Sequence, residues 1–427
     1  MSWVYRTEVR RSPLRWVLPV LIAVDLLGVF GRSTSWIGVW PGAGAAAQIP
    51  AFYLGPAMAG AAAWAAARRR RANAGGWMDA AARPVPGMEL AHFAATLTYG
   101  VAAYVTGVVA AAAVTVPQGG PHFWWPGYVL LGLAVITMCT ALGHLLGRAS
   151  TSLVALPVFC ALAVFVVLGL FGPVPQGTEW GWGLSVLSGY PDVVVGAGPL
   201  AARVGVAVAL VAVAVTAGRR LRSSAGVPGW PSVPVAGLGA VTVLAVCVVL
   251  TGVASPLLER REPPGEPLCT EGEPRVCLWP EHQRYLAQAE EISRRIAALP
   301  QDLLTSPPVF HETGLRGEEE MGEGFYLMEG EMWTVATSLA IRIEEASSPP
   351  YCDATTPEAD EARFQASMEL IAWLTARIAG RGKPSTLHGG PPGVDEEAVH
   401  AMTGEPESAQ RAWVQERLAT VRGTPCV

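Results

Sequence analysis

"AWAAARRRRANAGGWMDAAARPVPGMELAHFAATL", residues 63–97, decides how the rest of the chain is read. An alanine-rich apolar run stops at four consecutive arginines, Arg68, Arg69, Arg70 and Arg71, and a second apolar run begins at Leu90. Two such runs around a short basic segment with Gly and Pro read as membrane spans joined where positive charge collects. Lipid offers backbone groups no hydrogen-bond partners, so the spans are helices.

A bilayer core about 30 Å thick needs roughly 20 mostly apolar residues, and seven segments meet that expectation: 16–31, 47–67, 92–116, 127–147, 152–172, 199–218 and 235–255. Asp25 interrupts the first. Arginine placement sets the orientation. Thirteen arginines precede span one or lie between spans two and three, four and five, or six and seven. Only Arg32 and Arg203 fall in the alternate loops. Positive charge stays on the cytoplasmic side, so the N-terminus is expected inside and everything after span seven outside. Aromatic clusters at 35–40 (SWIGVW), 122–128 (HFWWPGY) and 179–183 (EWGWG) fall in the outer loops, as interfacial Trp and Tyr do. No small-residue cleavage site follows the basic start, so the first run is read as a retained span.

The charge divides the same way. Residues 1–255 carry 15 Arg and 6 acids, and residues 256–427 carry 29 acids against 14 Arg and one Lys. An acidic soluble part argues against nucleic acid as a partner, because phosphates require a cationic surface.

Three cysteines, Cys139, Cys160 and Cys247, fall inside spans and act as small apolar groups. The other four fall in the segment placed outside, where an even count suggests two disulfides. Of the three pairings, Cys269–Cys277 with Cys352–Cys426 is favoured, because the first closes a short loop and the second ties down the C-terminus. No C-x-x-C and no spaced His supports zinc, so no metal is expected.

In the C-terminal part, helices are expected at 280–299, 324–346, 356–380 and 405–423, with an extended piece at 306–314. Thr356, Pro357 and Gly380 supply a cap, a first-turn proline and a stop, with Phe364, Met368, Ile371, Thr375 and Ile378 sharing a face. "HETGL" (311–315) resembles half of a zinc-protease signature, but Leu315 stands where the second His is needed. The acid-dense "RGEEEMGEGF" (316–325) reads as a solvated face. No G-x-S-x-G and no phosphate-binding G-x-x-x-x-G-K-[ST] occurs. The chain is therefore not expected to be an enzyme or to hold a cofactor. Asp25 and His144 are the ionisable groups inside spans, and such groups are often functional.

The fold class expected is an α-helical polytopic membrane protein, with seven transmembrane helices and a helix-rich α+β extracellular domain. The divisions are 1–255 transmembrane, 256–268 linker and 269–427 the extracellular, disulfide-containing domain.

Three features combine: a basic N-terminal segment along the inner interface, a short helical stretch Trp77–Ala82 in the basic loop, and a long semi-polar loop at 172–200. This layout, over residues 1–220, resembles the permease subunits of ATP-binding-cassette (ABC) transporters of the second type, the six-span exporters. The resemblance implies that the loop after span two is a coupling helix seated in an ATPase subunit. Arg68, Arg69, Arg70, Arg71, Trp77, Met78 and Asp79 would then meet that subunit. It implies a re-entrant helical pair in the outer loop, ATP and magnesium in the partner, and a second copy or homologous permease completing the path. The setting is the bacterial plasma membrane. The seventh span and outer domain depart from the family pattern; "CTEGEPRVCLWPEHQRYL" (269–286) looks like outer domains of actinobacterial membrane proteins. Two readings from other classes stand beside it: a membrane-anchored surface or signalling protein that displays the acidic domain to a partner, and a membrane hydrolase.

Overall fold

The computed structural model describes residues 2–32, 36–71, 85–120, 125–149, 154–171, 173–174, 183–216, 256–316, 324–327, 332–350, 356–380 and 393–423. The fold is mostly helical and divides into two compact units, Met1–Arg260 and Arg261–Val427.

The first unit opens with α1 (Ser2–Arg11) and α2 (Leu14–Phe30), bent by 74° across Ser12 and Pro13. Two helices follow in close succession, α3 (Trp40–Gln48) and α4 (Ala51–Arg71). The expected span 47–67 crosses this junction. The correction has a plain cause: Pro50 has no N–H to donate and restricts the residue before it, so the helix restarts at Ala51. Helix α3 is built from Ala, Gly and Pro between Trp40 and Gln48, and every position but Gly42 is buried. Next come α5 (Val85–Thr115), α6 (Pro126–Ala149) and α7 (Ala155–Phe171). Short strands β1 (Pro173–Val174) and β2 (Ser185–Val186) pair in parallel, and β3 (Val193–Val195) leads into α8 (Ala197–Thr216). Strand β4 (Leu258–Arg260) pairs antiparallel with β3. The outer loop was expected to hold a helical pair; its described residues 183–195 carry strands β2 and β3 instead.

Among the described residues, three helical segments are long and apolar enough to cross a membrane: Gly87–Thr115, Pro126–Arg148 and Ala197–Thr216. The bent pair α1–α2 raises the number to four. Helix α7 is apolar but shorter. The expected span 235–255 and the Trp77–Ala82 helix lie outside the described residues.

Helices α4 and α6 approach through small residues. A Cβ placed on Gly143 or Gly147 would overlap the carbonyls of Ala59 and Ala63, and one on Gly55 would press on the Cys139 sulfur. Residues four apart share a helix face, so Gly55, Ala59 and Ala63 run alongside Cys139, Gly143 and Gly147, and the two helices are parallel. Close backbone approach of this kind is how small residues drive helix association in lipid.

The C-terminal unit holds a three-stranded sheet of β5 (Leu268–Cys269), β6 (Arg275–Leu278) and β7 (Val309–His311), antiparallel then parallel. The Cys269–Cys277 disulfide bridges β5 and β6. A 3-10 turn at Pro280–Tyr285 leads into α9 (Leu286–Ala297), which buries Ala289, Ile292 and Ile296. Helices α10 (Met332–Ser347), α11 (Pro357–Ala379), α12 (Glu396–Met402) and α13 (Glu407–Gly423) complete the unit. Helix α10 starts later than expected, because Phe325 bridges to Glu312 as extended chain. Thr356 caps α11 by accepting the Ala359 N–H, and Gly380 ends it in the left-handed region. Of the face expected for α11, Ile371, Thr375 and Ile378 are buried and Met368 is partly so, whereas Phe364 is exposed; Arg363, Leu370, Trp373 and Leu374 are buried as well. Cys352 and Cys426 lie outside the described residues.

Candidate functional site

His144 and Arg148 stand one turn apart on α6. Each directly follows a glycine that faces α4, so the 100° step of the helix turns both toward other neighbours. Glu89, in the first turns of α5, meets both. One carboxylate oxygen lies 3.2 Å from His144 Nε2 and the other 3.7 Å from Arg148 Nη2. Phe93, one turn further along α5, sets its ring edge-on against the His144 imidazole. Glu89 and His144 are almost fully enclosed, at 4% and 1% exposure.

Arg148 also reaches α8. Its Nη1 donates to the Ala214 carbonyl at 2.6 Å and the Val215 carbonyl at 3.3 Å. Carbonyls in a helix's last turn lack intrahelical donors and carry the negative end of the helix dipole, so a guanidinium there satisfies both needs. Three helices, α5, α6 and α8, are thus joined by one carboxylate and two basic side chains.

The next turn of α5 holds α1. His92 Nδ1 lies 3.0 Å from Glu8 Oε1, an ion-pair contact without hydrogen-bond alignment. Tyr5 Oη and Thr98 Oγ1 are 2.8 Å apart, and Tyr99 donates its hydroxyl proton to the Val9 carbonyl. The first four turns of α5 therefore grip α1, α6 and, through Arg148, α8.

Asp25 is elsewhere. It is fully enclosed on α2, and its carboxyl occupies the space that a side chain at Gly107 of α5 would need. No side chain hydrogen-bonds it. His144 meets α5 at position 89, about 27 Å along the axis from position 107 at 1.5 Å per residue. The two ionisable residues expected to be functional are both buried, and the fold does not bring them together.

Of the residues expected to meet a partner subunit, Arg68 stacks on the Trp64 ring at 5.0 Å. Arg69, Arg70 and Arg71 belong to the last turn of α4. Trp77, Met78 and Asp79 lie outside the described residues. Sequence reasoning missed Glu89 and Arg203. The Arg203 side chain is fully buried and donates to the Gly183 and Pro199 carbonyls at 2.9 Å. For Glu89 the signal was present: an acid and His92 at i, i+3 in the first turns of an apolar helix.

The C-terminal unit has a polar cluster of its own. Glu312 Oε1 lies 2.7 Å from His282 Nδ1, and Oε2 accepts the Trp279 N–H at 2.9 Å. Arg261 pairs with Glu281 at 2.5 Å and covers the Trp279 ring. A cavity of about 470 Å³ opens beside it, lined by Val309, His311, Glu312, Arg316, Arg342 and Glu345 among others. "HETGL" contributes to this wall, with Glu312 committed to protein partners. No cluster of three His, Cys, Asp or Glu suited to a metal occurs among the described residues.

Comparison of the chain with known protein families, with characterised proteins and with solved structures finds no match.

Proposed function

We propose that this chain is the permease subunit of an ABC-type exporter. A separate ATPase subunit, binding ATP and magnesium, docks on the basic segment 68–90. A second permease copy or homologue completes the path. Residues 261–427 stand outside the bacterial plasma membrane, where they gate or hand over the substrate.

The observation that carries this reading is the junction at Glu89. The segment between α4 and α5 feeds straight into the turns of α5 that hold α1, α6 and α8. A push on that segment moves the start of α5, and the ion pairs pass the displacement to three other helices. The 74° bend between α1 and α2 supports an N-terminal helix lying along the interface before the first crossing. Sidedness has support as well. Thr216 ends α8 beside Arg148, whereas β4 returns against β3, just before α8 begins. Those two points lie at opposite ends of a helix of about 30 Å. This supports a further crossing between residues 216 and 256, an odd total, and an outside C-terminal unit.

The test is purification of the full chain from its native membrane in mild detergent, followed by assay of the eluate for ATP hydrolysis. The reading expects a co-eluting ATPase that is lost in a Trp77→Ala, Asp79→Ala variant that still folds. A chain that elutes without ATPase activity defeats it. The cavity of the C-terminal unit then favours the second reading, a membrane-anchored protein displaying an acidic partner-binding domain.

A further inference from the structure

Helix α1 has two unlike sides. Tyr5, Glu8 and the Val9 carbonyl turn to α5, where they meet Thr98, His92 and Tyr99. Trp3, Arg6 and Arg10 follow one another at steps of three and four, so they share a face, and Arg11 stands next to it. All four are exposed, Trp3 by 72%. Glu8 is the one acid of this helix and is spent on His92. Among the described residues, no carboxylate pairs with Arg6, Arg10 or Arg11.

The 74° bend places a fourth exposed cation, Arg15, at the start of α2. Arg15 reaches back across the bend and donates to the Arg10 carbonyl at 3.0 Å, which uses one of the several N–H groups of a guanidinium. The same guanidinium lies 4.9 Å from the centre of the Trp16 ring. Trp16 begins an exposed apolar side of α2, continued by Val20, Val24 and Leu27. Leu21, Asp25 and Val29, on the other side, are buried. In a chain that enters a bilayer, an exposed apolar helix side of this kind is covered by acyl chains. The arginines where it begins then stand at the depth of the headgroups, the zone that Trp also prefers.

We propose that α1 and the bend after it dock on an anionic phospholipid leaflet, with Arg6, Arg10, Arg11 and Arg15 on the phosphates and Trp3 and Trp16 among the headgroups. Charge selects this partner. A guanidinium offers paired N–H donors that match phosphate oxygens. A zwitterionic headgroup carries its own ammonium beside the phosphate, so four cations gain most from a headgroup with net negative charge. Each basic residue near such a surface contributes roughly a fivefold preference. The contacts of Tyr5, Glu8 and Val9 hold the opposite side of α1 on α5, so the helix meets the leaflet in a fixed pose. The inference rests on the α1–α2 pair entering a bilayer and is independent of any ATPase partner.

Native mass spectrometry tests it by counting the lipids that stay bound. The full chain is purified in detergent and equilibrated with equal amounts of phosphatidylglycerol and phosphatidylcholine. The proposal expects phosphatidylglycerol to be retained about fivefold or more over phosphatidylcholine. Replacing Arg6, Arg10, Arg11 and Arg15 together by Gln brings the two lipids toward parity, and replacing them by Lys keeps most of the preference. Arg275→Gln, at an exposed site in the C-terminal unit, leaves it unchanged. Equal retention by the parent chain overturns the proposal, and so does an undiminished preference in the glutamine variant. Loss of the preference in the lysine variant too traces it to the fold rather than to these charges, which also overturns it. If the two lipids bind equally and the four arginines are needed to retain a co-purifying protein, the surface belongs to that protein and the proposal fails.

Discussion

Glu89 and His144 are 55 residues apart in the chain and 3.2 Å apart in the fold. Both are buried, and the same carboxylate faces Arg148, whose guanidinium closes the last turn of α8. Removing this carboxylate takes away an anion that two buried basic side chains face. Truncating one partner of a buried ion pair costs about 3–5 kcal/mol. Glu89→Gln is therefore expected to lower the melting temperature of the detergent-solubilised protein markedly. Replacing all three residues by apolar ones of similar volume restores much of the loss. An unchanged melt for Glu89→Gln would mean the junction bears no load.

Gly143 and Gly147 are the contact surface of α6 against α4. Leucine at either site would drive the helices apart, because the Cβ alone already overlaps a carbonyl. Both variants are expected to lose folded yield on size-exclusion chromatography. Gly205→Ala, where the added methyl meets nothing within 4 Å, serves as the control and elutes like the parent.

Burial raises the Tyr285 hydroxyl above its ordinary value of 10.0, with Arg284 pulling the other way. The unfolded chain then loses this proton at lower pH than the folded unit does. The contribution is fully present below pH 10 and is lost as the pH rises toward the folded value. Tyr285→Phe is expected to flatten the alkaline fall in melting temperature, measured from pH 8 to 11, and to delete one late-titrating tyrosinate from the absorbance at 295 nm.

Cys269 and Cys277 close a loop with a sequence separation of 8. Loop-closure entropy for a span this short contributes about 2–3 kcal/mol. The double Cys269→Ser, Cys277→Ser variant is expected to make the C-terminal unit more susceptible to limited proteolysis. It leaves the glycine-packed α4–α6 contact unaffected, as a fluorescence probe on that contact would register.

Helix existence was legible in the sequence because lipid-compatible segments are long, apolar and punctuated by charge. The break at Ile49–Pro50 was less so, since α3 and α4 are equally rich in small residues and composition stays flat across the junction. The α10 start was missed for a different reason: Phe325 and Leu327 fit a helical pattern, but tertiary pairing of Phe325 with Glu312 draws that stretch into extended chain.

The ionisable groups divide along similar lines. His144 and Asp25 stand out against apolar neighbours. Glu89 sits near a helix end, where an acid reads as solvated until α6 is seen to cover it. Gln48 and Tyr128 give no signal at all, because an amide or a phenol near an aromatic cluster is ordinary at an interface, and only the packing of the helices buries them. Arg363 shows the same limit in reverse. It reads as surface, yet it is buried on α11 and donates to the Pro350 carbonyl at 3.2 Å.

Sidedness underlies the whole account, and a single labelling experiment measures it. One cysteine is introduced into a cysteine-reduced chain, either Asn73→Cys in the basic loop or Ser408→Cys in the exposed start of α13, and intact cells are treated with a membrane-impermeant maleimide. The account predicts that Ser408→Cys is labelled in intact cells and that Asn73→Cys is labelled only after lysis. Labelling of Asn73→Cys in intact cells, with Ser408→Cys protected until lysis, contradicts it.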